Sequence, residues 1–443
     1  MEILPGMQDV WGQLPRMKGY THLALCFPHP ESISRVTIET ALAAATRRIT
    51  MAVPWIGGAV VHVNVDSAGT GNFTVAQCPK TENILKIQDL SAVYSPFDDL
   101  VRAKAASDLL DGRILSAESS LPDSYAETET DPAPVLTLTA SWVKGGLILD
   151  CAAQHNILDM GGIDQFFRLL ATALQGQEFD RATIEANNRD RFHIFPLLRP
   201  DEGKYDHSQM RCPSSLNPTL RPPPPGPLPA FHYFRFRDTS LSQLKVSAQT
   251  PSADDALSAF IWQRLSAVRL ALGQKLDAVT GFSRAIDCRR TLGVPTEYMG
   301  VVVVKTFSKM TFDNIHQSSL ADLAIHLRKD LQRMRDQHFL RSLATLIAEE
   351  PDKSTINFVS GANPDTWINA SSWAGATTHS LDFGLLGKAA FVRRPKSKPV
   401  QGLLYFLPKL EQGGIDVLLC LKDDEIRGLI SDSEWTNFAE YIG

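Results

Sequence analysis

Cysteine is scarce in this chain. Its 443 residues include six cysteines, and they are scattered without a Cys-x-x-C pair. This distribution suggests neither a zinc site nor a disulfide framework, and it fits a reducing compartment.

The chain also lacks a large excess of charge of one sign, and it lacks long apolar runs. The net charge is −5 with no block rich in lysine or arginine, which argues against a nucleic-acid partner. No stretch approaches the ~18–20 consecutive apolar residues of a membrane span. The N-terminal residues lack the basic region and apolar run of a signal peptide. We therefore expect a cytoplasmic protein with no membrane partner.

The length of the chain and one proline-rich segment predict two domains. A chain of 443 residues is long for one core and comfortable for two domains of roughly 200 residues each. Residues 221–229 read Arg-Pro-Pro-Pro-Pro-Gly-Pro-Leu-Pro, a run that favours extended polyproline conformation. We predict an N-terminal domain over 1–197, a linker over 198–229 and a C-terminal domain over 230–443.

Both helices and strands are expected in each half, which places the chain in the α/β class. Apolar spacing predicts helices at 36–51, 163–174, 252–272 and, broken once, 320–349. Apolar runs predict strands at 135–143, 147–153, 279–285, 301–307, 403–407 and 415–421. No Gly-x-Gly-x-x-Gly follows a strand and there is no Walker loop, which argues against a nucleotide-binding fold.

One histidine stands out by its surroundings. His155 follows an apolar strand, Asp159 comes four residues later, and Gly161-Gly162 lead into an apolar helix. The same spacing occurs in His62/Asp66, on an alternating half-buried strand, and in His326/Asp330, on a charged and solvated helix. Only His155 combines apolar flanks, a strand and glycines, so it is the candidate functional histidine.

A histidine with a reference pKa of about 6.5 can take a proton from an alcohol at neutral pH. On a helix, Asp159 would share a face with His155 and could orient the imidazole. In a tight turn it would instead point away and anchor the loop through an arginine. A satisfied histidine with an incidental aspartate is an alternative. Metal binding is less well supported, because no third ligand has diagnostic spacing, and we expect no metal.

Two further segments place charges or glycines after apolar strands. One contains Asp287 and Arg289, and the other runs from Ser371-Ser372-Trp373 through residues 382–388 to Arg393-Arg394. Taken singly, they read as turns and a solvated basic patch.

Together with His155, these segments resemble the BAHD superfamily of coenzyme A-dependent acyltransferases, whose signatures are H-x-x-x-D-G and D-F-G-W-G. The similarity is strongest to the fungal trichothecene 3-O-acetyltransferase branch and covers nearly the whole chain. Its landmarks, in order, are residues 9–15, 52–57, 144–149, 252–262, 372–373 and 402–409.

The sequence departs from the superfamily pattern at three places. The motif glycine is displaced to Gly161 by Met160, and Leu385-Leu386 replace the single tryptophan of the plant loop. The tandem His-His of condensation domains is absent, since Gln154 precedes His155.

The resemblance implies a two-domain α/β fold like that of chloramphenicol acetyltransferase, with a tunnel between the domains. Coenzyme A would enter this tunnel from one face and the acceptor from the other, and the two would meet at His155. The resemblance also implies that His155 is the catalytic base and that Asp159 is structural and paired with Arg289. It assigns structural roles to Asp382, Gly384 and Gly387, stabilisation of the transition state to Ser371, Ser372 and Trp373, and cofactor contacts to Ser252, Lys388, Arg393 and Arg394.

The activity expected from the resemblance is O-acylation, with acetyl-CoA as favoured co-substrate, of an apolar small-molecule alcohol from fungal secondary metabolism. No tightly bound cofactor is expected, and the enzyme is expected to be a monomer. Two alternatives stay open at this point. The same fold could catalyse N-acylation, cyclisation or condensation, or it could be a non-catalytic binding protein.

Overall fold

The structure is a computed structural model. It describes residues 1–65, 70–124, 131–212, 228–358 and 362–443. Asp66 and most of the proline-rich run, residues 221–227, lie outside the described residues.

Seventeen strands occur in the described ranges. They are β1 (Glu2–Ile3), β2 (Tyr20–Pro28), β3 (Ala59–Val63), β4 (Asn72–Gln77), β5 (Leu85–Asp89), β6 (Ala133–Pro134), β7 (Leu136–Val143), β8 (Gly146–Gln154), β9 (Ala230–Phe236), β10 (Val279–Asp287), β11 (Val303–Lys305), β12 (Ser308–Thr311), β13 (Trp367–Ser372), β14 (Phe391–Arg393), β15 (Leu403–Phe406), β16 (Ile415–Leu421) and β17 (Ala439–Tyr441).

Thirteen α-helices occur in the same part of the chain. They are α1 (Arg35–Ala52), α2 (Phe97–Arg102), α3 (Gly112–Leu115), α4 (Met160–Leu174), α5 (Arg181–Asn187), α6 (Asp238–Ser247), α7 (Ala253–Ala271), α8 (Arg289–Leu292), α9 (Phe312–Gln317), α10 (Leu320–Arg333), α11 (Gln337–Glu349), α12 (Asp423–Ser431) and α13 (Ser433–Phe438). None of these helices combines the length and the apolar character needed to cross a membrane.

The first half of the chain is built on a five-stranded sheet in the order β14-β2-β8-β7-β5. Strands β7 and β8 are buried along their whole length, as expected for apolar runs without alternation. Gly145 turns the chain between them at φ +80°, a left-handed conformation that glycine adopts without a steric penalty. Helices α1 and α4 contribute their apolar residues to the same core. The carboxyl end of β8 therefore delivers His155 from a rigid central strand.

The second half is built on a larger sheet in the order β11-β10-β13-β15-β16-β9-β17, with β12 also paired to β10. Strands β10, β13 and β15 run parallel to one another. The apolar residues of α7, capped by the Ser252 hydroxyl, pack in the core of this half. A smaller sheet, β1-β4-β3-β6, completes the first half.

One strand from the second half joins the main sheet of the first half. Strand β14, from the second half, pairs antiparallel with β2 of the first half, with Val392 opposite Leu25. Part of the predicted linker is also packed in place: Leu198 N donates to the Thr345 hydroxyl at 2.9 Å, and the His207 ring contacts the Ser342 hydroxyl, both on α11. The described residues 198–212 are thus attached to the second half.

Most predicted elements are confirmed within a few residues. The predicted helix at 36–51 is α1, the strands at 135–143 and 147–153 are β7 and β8, and the helical region 320–349 is broken between α10 and α11. The predicted strand at 301–307 is shorter, since only Val303–Lys305 pairs with β10. Strand β2, an interior strand of the five-stranded sheet, was not predicted.

Candidate active site

His155 lies in a turn directly after β8, at a wall of a large cavity. Its backbone N–H donates to the Gly19 carbonyl at 2.8 Å. The ring atom Nδ1 is buried, and the residue lines the cavity.

The turn that carries His155 is fixed by the next residue. The Asn156 side-chain amide donates to the carbonyls of Gly12 and, at 3.1 Å, Leu14. The Asn156 backbone N–H donates to the Gln154 side chain at 2.7 Å. A Cβ on Gly12 would collide with the Asn156 carbonyl, so only glycine permits this contact. These bonds hold the imidazole in place before any substrate binds.

The environment of His155 favours its neutral form. Burial lowers the pKa of His155 from 6.5, because a charged ring would lose its hydration. The Asp159 carboxylate and backbone hydrogen bonding at His155 and Leu158 offset part of this effect, while the positive charge of Lys305 adds to it. A neutral imidazole is the form that can accept a proton.

Asp159 is engaged away from the imidazole. It caps α4 by accepting from Gly162 N at 3.0 Å, and its second oxygen accepts from Val302 N at 3.0 Å. Arg289 donates to it at 2.7 Å. With both oxygens occupied, the carboxylate acts on His155 through charge alone. Of the two arrangements considered from the sequence, the geometry is that of the tight turn anchored by an arginine.

Arg289 joins the His155 motif to the second half of the chain. It is 2% exposed and also donates to Asp287 and to the carbonyls of Tyr298 and Gly300 at 2.7–3.0 Å. A buried guanidinium with several acceptors is the usual condition for a stable buried charge.

The two glycines after Asp159 allow this close packing. A Cβ on Gly162 would collide with the Met299 carbonyl, and one on Gly161 would lie 3.0 Å from an Arg289 nitrogen. The glycines predicted from the motif are thus required by contacts between the halves.

The cavity has a volume of about 2860 Å³ and is lined by residues of both halves. The first half contributes His155, Met160, Asp164 and other residues, and the second contributes faces of β10, β11, β13 and β15. No group of histidine, cysteine and carboxylate side chains in the described ranges is arranged to hold a metal ion.

Ser371, Ser372 and Trp373 line the cavity at the end of β13. The Trp373 indole N–H donates to the Ser371 hydroxyl at 3.0 Å, which leaves the hydroxyl proton of Ser371 available for donation. The Trp373 ring also packs on Tyr405, with ring centroids 4.9 Å apart. The structure therefore brings these three predicted residues to the same cavity as His155.

Asp164, which was not predicted, connects α4 to the segment after Trp373. Its carboxylate accepts from Thr377 N and from the Thr378 hydroxyl, each at 2.8 Å. It is 7% exposed. One helix therefore positions both the histidine turn and the segment that follows β13.

The loop containing Asp382, Gly384 and Gly387 lies outside the cavity lining. Asp382 accepts from Gly384 N at 3.0 Å, and a Cβ on Gly384 would lie 2.8 Å from the Leu174 carbonyl at the end of α4. Both glycines have positive φ, +61° and +64°. Phe383 is buried against Phe27, with ring centroids 5.3 Å apart. The loop supports the first half and supplies no group to the cavity.

The four residues predicted to contact the cofactor do not all line the cavity in the structure. Ser252 caps α7, accepting from Asp255 N at 3.2 Å, and does not line the cavity. Lys388 is exposed and pairs with Glu411. That pair is solvent-exposed and lies outside the cavity lining. A cation that is buried with its own partners is, by contrast, not free to bind a phosphate.

Arg393 and Arg394 illustrate this. Arg393 is 1% exposed and is held by Asp416 at 2.9 Å and by the carbonyls of Lys104 and Ala105. It is a structural cation, and its prediction as a phosphate contact is corrected on this ground. Arg394 does line the cavity, but it donates to the Ser397 hydroxyl at 2.6 Å and the Ser120 hydroxyl at 3.1 Å.

Of the other two His-x-x-x-Asp pairs, the described members His62, His326 and Asp330 do not line this cavity. His62, on β3, stacks on Phe73 with ring centroids 4.6 Å apart. His326, on α10, lies 3.6 Å from Asp330. Of the three histidines compared in the sequence, the one selected, His155, is the one that lines the cavity.

Comparison with known proteins places the chain in a family. Residues 20–174 match the trichothecene 3-O-acetyltransferase-like N-terminal domain, and residues 107–436 match the transferase family. The O-acyltransferase pigD of Monascus ruber is 40% identical over 98% of each chain, and the O-acetyltransferase epaC of Aspergillus niger is 40% identical over 100% of this chain and 98% of its own.

A crystal structure of Fusarium sporotrichioides TRI101, complexed with coenzyme A and T-2, superposes with a TM-score of 0.90 at 32% identity, covering 99% of both chains. The chain belongs to the transferase family, in its trichothecene 3-O-acetyltransferase-like branch. It is an acyltransferase with the two-domain α/β fold of that family, and the predicted fold and resemblance are confirmed.

Proposed function

We propose that the enzyme transfers an acyl group, with acetyl favoured, from acyl-coenzyme A to a hydroxyl of an apolar fungal secondary metabolite. The observation that carries the proposal is the position of His155. It is a neutral, rigidly held imidazole in a cavity whose walls come from both halves of the chain. Similarity to the O-acyltransferases named above and to a protein crystallised with coenzyme A supports the choice of donor.

In this proposal His155 Nε2 removes the proton of the acceptor hydroxyl. The oxygen attacks the thioester carbonyl carbon directly, the carbon–sulfur bond breaks, and the imidazolium returns the proton to the departing thiolate. No acyl-enzyme is formed. General-base help of this kind is worth about 10²–10⁴ in rate.

The negative charge that develops on the thioester oxygen needs a hydrogen-bond donor. The Ser371 hydroxyl is the candidate that we favour, because the Trp373 indole N–H orients its oxygen and leaves its proton free. Ser372 and Trp373 lie next to it on the cavity wall. Loss of one such donor typically costs about 3–4 kcal/mol of transition-state stabilisation.

The apolar character of the acceptor is supported by the cavity lining. Its lining residues include Met17, Ile356, Phe358, Trp367 and Tyr405. Covering such a surface with an apolar ligand is favourable by about 25 cal/mol for each Å² of apolar surface that is buried.

The test uses His155→Ala with His326→Ala as matched control, because both histidines belong to a His-x-x-x-Asp pair and only one lines the cavity. Purified enzyme is incubated with acetyl-CoA and candidate alcohols, and released thiol and acylated product are measured. We expect His155→Ala to lose at least about 10² in kcat while staying folded, and His326→Ala to retain activity. Turnover by His155→Ala near that of the wild type would reject the base assignment.

A further inference from the structure

Lys305 lines the same cavity as His155 and has no counter-charge among the residues that the structure describes. Lys305 is the last residue of β11, and its neighbour on the same face of the strand, Val303, also lines the cavity. Its charge acts on the His155 ring. In the described ranges no carboxylate or hydrogen bond acts on the amine; only its burial does.

Two other lysines of the cavity wall provide an internal comparison. Lys398 pairs with Asp123 at 3.1 Å, and Lys422 pairs with Asp365 at 2.6 Å. A carboxylate partner keeps an amine protonated and therefore unreactive. Lys305 differs from both, because nothing in the described part of the chain stabilises its charged form.

The backbone that carries Lys305 is fixed. Lys305 pairs with Ala285 on β10, and the next residue, Thr306, donates its N–H to the Arg284 carbonyl at 2.9 Å and accepts from Arg284 N at 3.0 Å. The amine is thus presented to the cavity from a rigid strand, with only its own side-chain torsions free.

We propose that Lys305 is a self-acylation site, which the enzyme's own acyl-CoA modifies when no acceptor alcohol occupies the cavity. The inference rests on the proposed function, since it requires an acyl thioester to be bound beside His155. It assigns to this amine a competing role as a nucleophile in the same cavity.

The step is an ordinary aminolysis. The lone pair of the neutral Lys305 Nζ attacks the thioester carbonyl carbon, a carbon–nitrogen bond forms, and the carbon–sulfur bond breaks. The thiolate leaves with the electron pair and takes up the proton lost by the nitrogen. The products are an amide at Lys305 and free coenzyme A.

The protonation of the amine is compatible with this step. Burial lowers the pKa of Lys305 from 10.5 to about 8, because the ammonium loses hydration that no partner replaces. Part of the population is therefore neutral at mildly alkaline pH, and a desolvated lysine is a known kind of activated nucleophile.

The consequence would be inhibition. Acylation of Lys305 replaces its amine by a larger amide in the cavity that His155 also lines. It also removes a positive charge that lowers the pKa of His155. We therefore expect acylated enzyme to bind its substrates poorly until the modified molecules are replaced.

The experiment incubates full-length enzyme with acetyl-CoA and without acceptor. Intact-mass and peptide-mapping mass spectrometry then follow acetylation of Lys305, Lys398 and Lys422. We expect Lys305 to be acetylated about tenfold faster than the other two, since a neutral amine is the reactive form. Acetyl transfer to an alcohol, measured afterwards, should fall in proportion to Lys305 occupancy.

Lys305→Arg is the matched variant, because it keeps the positive charge but cannot be acylated under these conditions. Normalised to its own starting activity, it should not lose activity during the incubation. Wild-type enzyme in which Lys305 stays unmodified, or is modified no faster than Lys398 and Lys422, overturns the proposal. Acetylation without loss of activity overturns its inhibitory part.

The outcome separates this inference from the proposed function. An enzyme that acetylates alcohols but leaves Lys305 unmodified refutes only the self-acylation. An enzyme that acetylates Lys305 but no alcohol refutes O-acyl transfer as the function.

Discussion

Replacement of Asp159 by asparagine distinguishes a structural aspartate from a catalytic one. The Asp159 carboxylate accepts from Arg289, Gly162 N and Val302 N, and it makes no hydrogen bond to His155. In Asp159→Asn the side-chain amide would turn an N–H toward one of these donors, and the buried Arg289 would lose its nearest counter-charge.

The expected cost is a loss of stability. Removal of one partner of a buried ion pair typically costs 3–5 kcal/mol. The lower end applies here, because Arg289 keeps Asp287 and the carbonyls of Tyr298 and Gly300 as acceptors. We therefore expect the free energy of unfolding to fall by about 3 kcal/mol, measured by urea denaturation, with a smaller effect on turnover by the folded fraction.

Asp287→Asn is the matched control. Asp287 binds the same arginine at 3.0 Å, but its side chain is 57% exposed, so the change should cost less than about 1 kcal/mol. The reasoning would be refuted if Asp159→Asn kept wild-type stability and lost about 10⁴ in kcat, as a triad aspartate does.

Three further results are expected. Because burial lowers the pKa of His155 from 6.5, the acidic limb of the pH profile of kcat/KM should lie below pH 6.5. Folding favours the neutral ring, so the contribution of His155 to the free energy of unfolding is present above pH 6.5 and is lost as the pH falls. A limb above pH 7 would contradict this. Gly162→Ala should lower the free energy of unfolding by about 1–3 kcal/mol or more, because its Cβ would meet the Met299 carbonyl, whereas Gly203→Ala, with nothing within 4 Å, should be nearly neutral. Arg393→Met should destabilise the protein by about 3–5 kcal/mol without raising the KM for acetyl-CoA in the folded enzyme, and a raised KM alone would restore Arg393 as a phosphate contact.

Local sequence patterns were sufficient to predict the helices and strands whose own residues show the periodicity or apolar run of that element. The apolar runs of β7 and β8 and the spacing of α1 and α10 specify their own secondary structure, because the side-chain period of a strand or helix is a local property. Strand β2 was missed, although it is an interior strand of its sheet, paired with β14 and β8. Its polar residues include His22, which is buried through its contact with Asp150 on β8, a partner that no local pattern contains.

The sequence by itself was enough to select the histidine that lines the cavity, because a strand end, an aspartate at four residues and two glycines describe a local turn. It also determined, through resemblance, the family. Only the tertiary structure decided which cations are free to act. Arg393 is neutralised by Asp416 and Arg289 by Asp159, whereas Lys305 has no partner in the described ranges. The availability of a charge depends on groups far away in the chain, and only folding brings them within hydrogen-bonding distance.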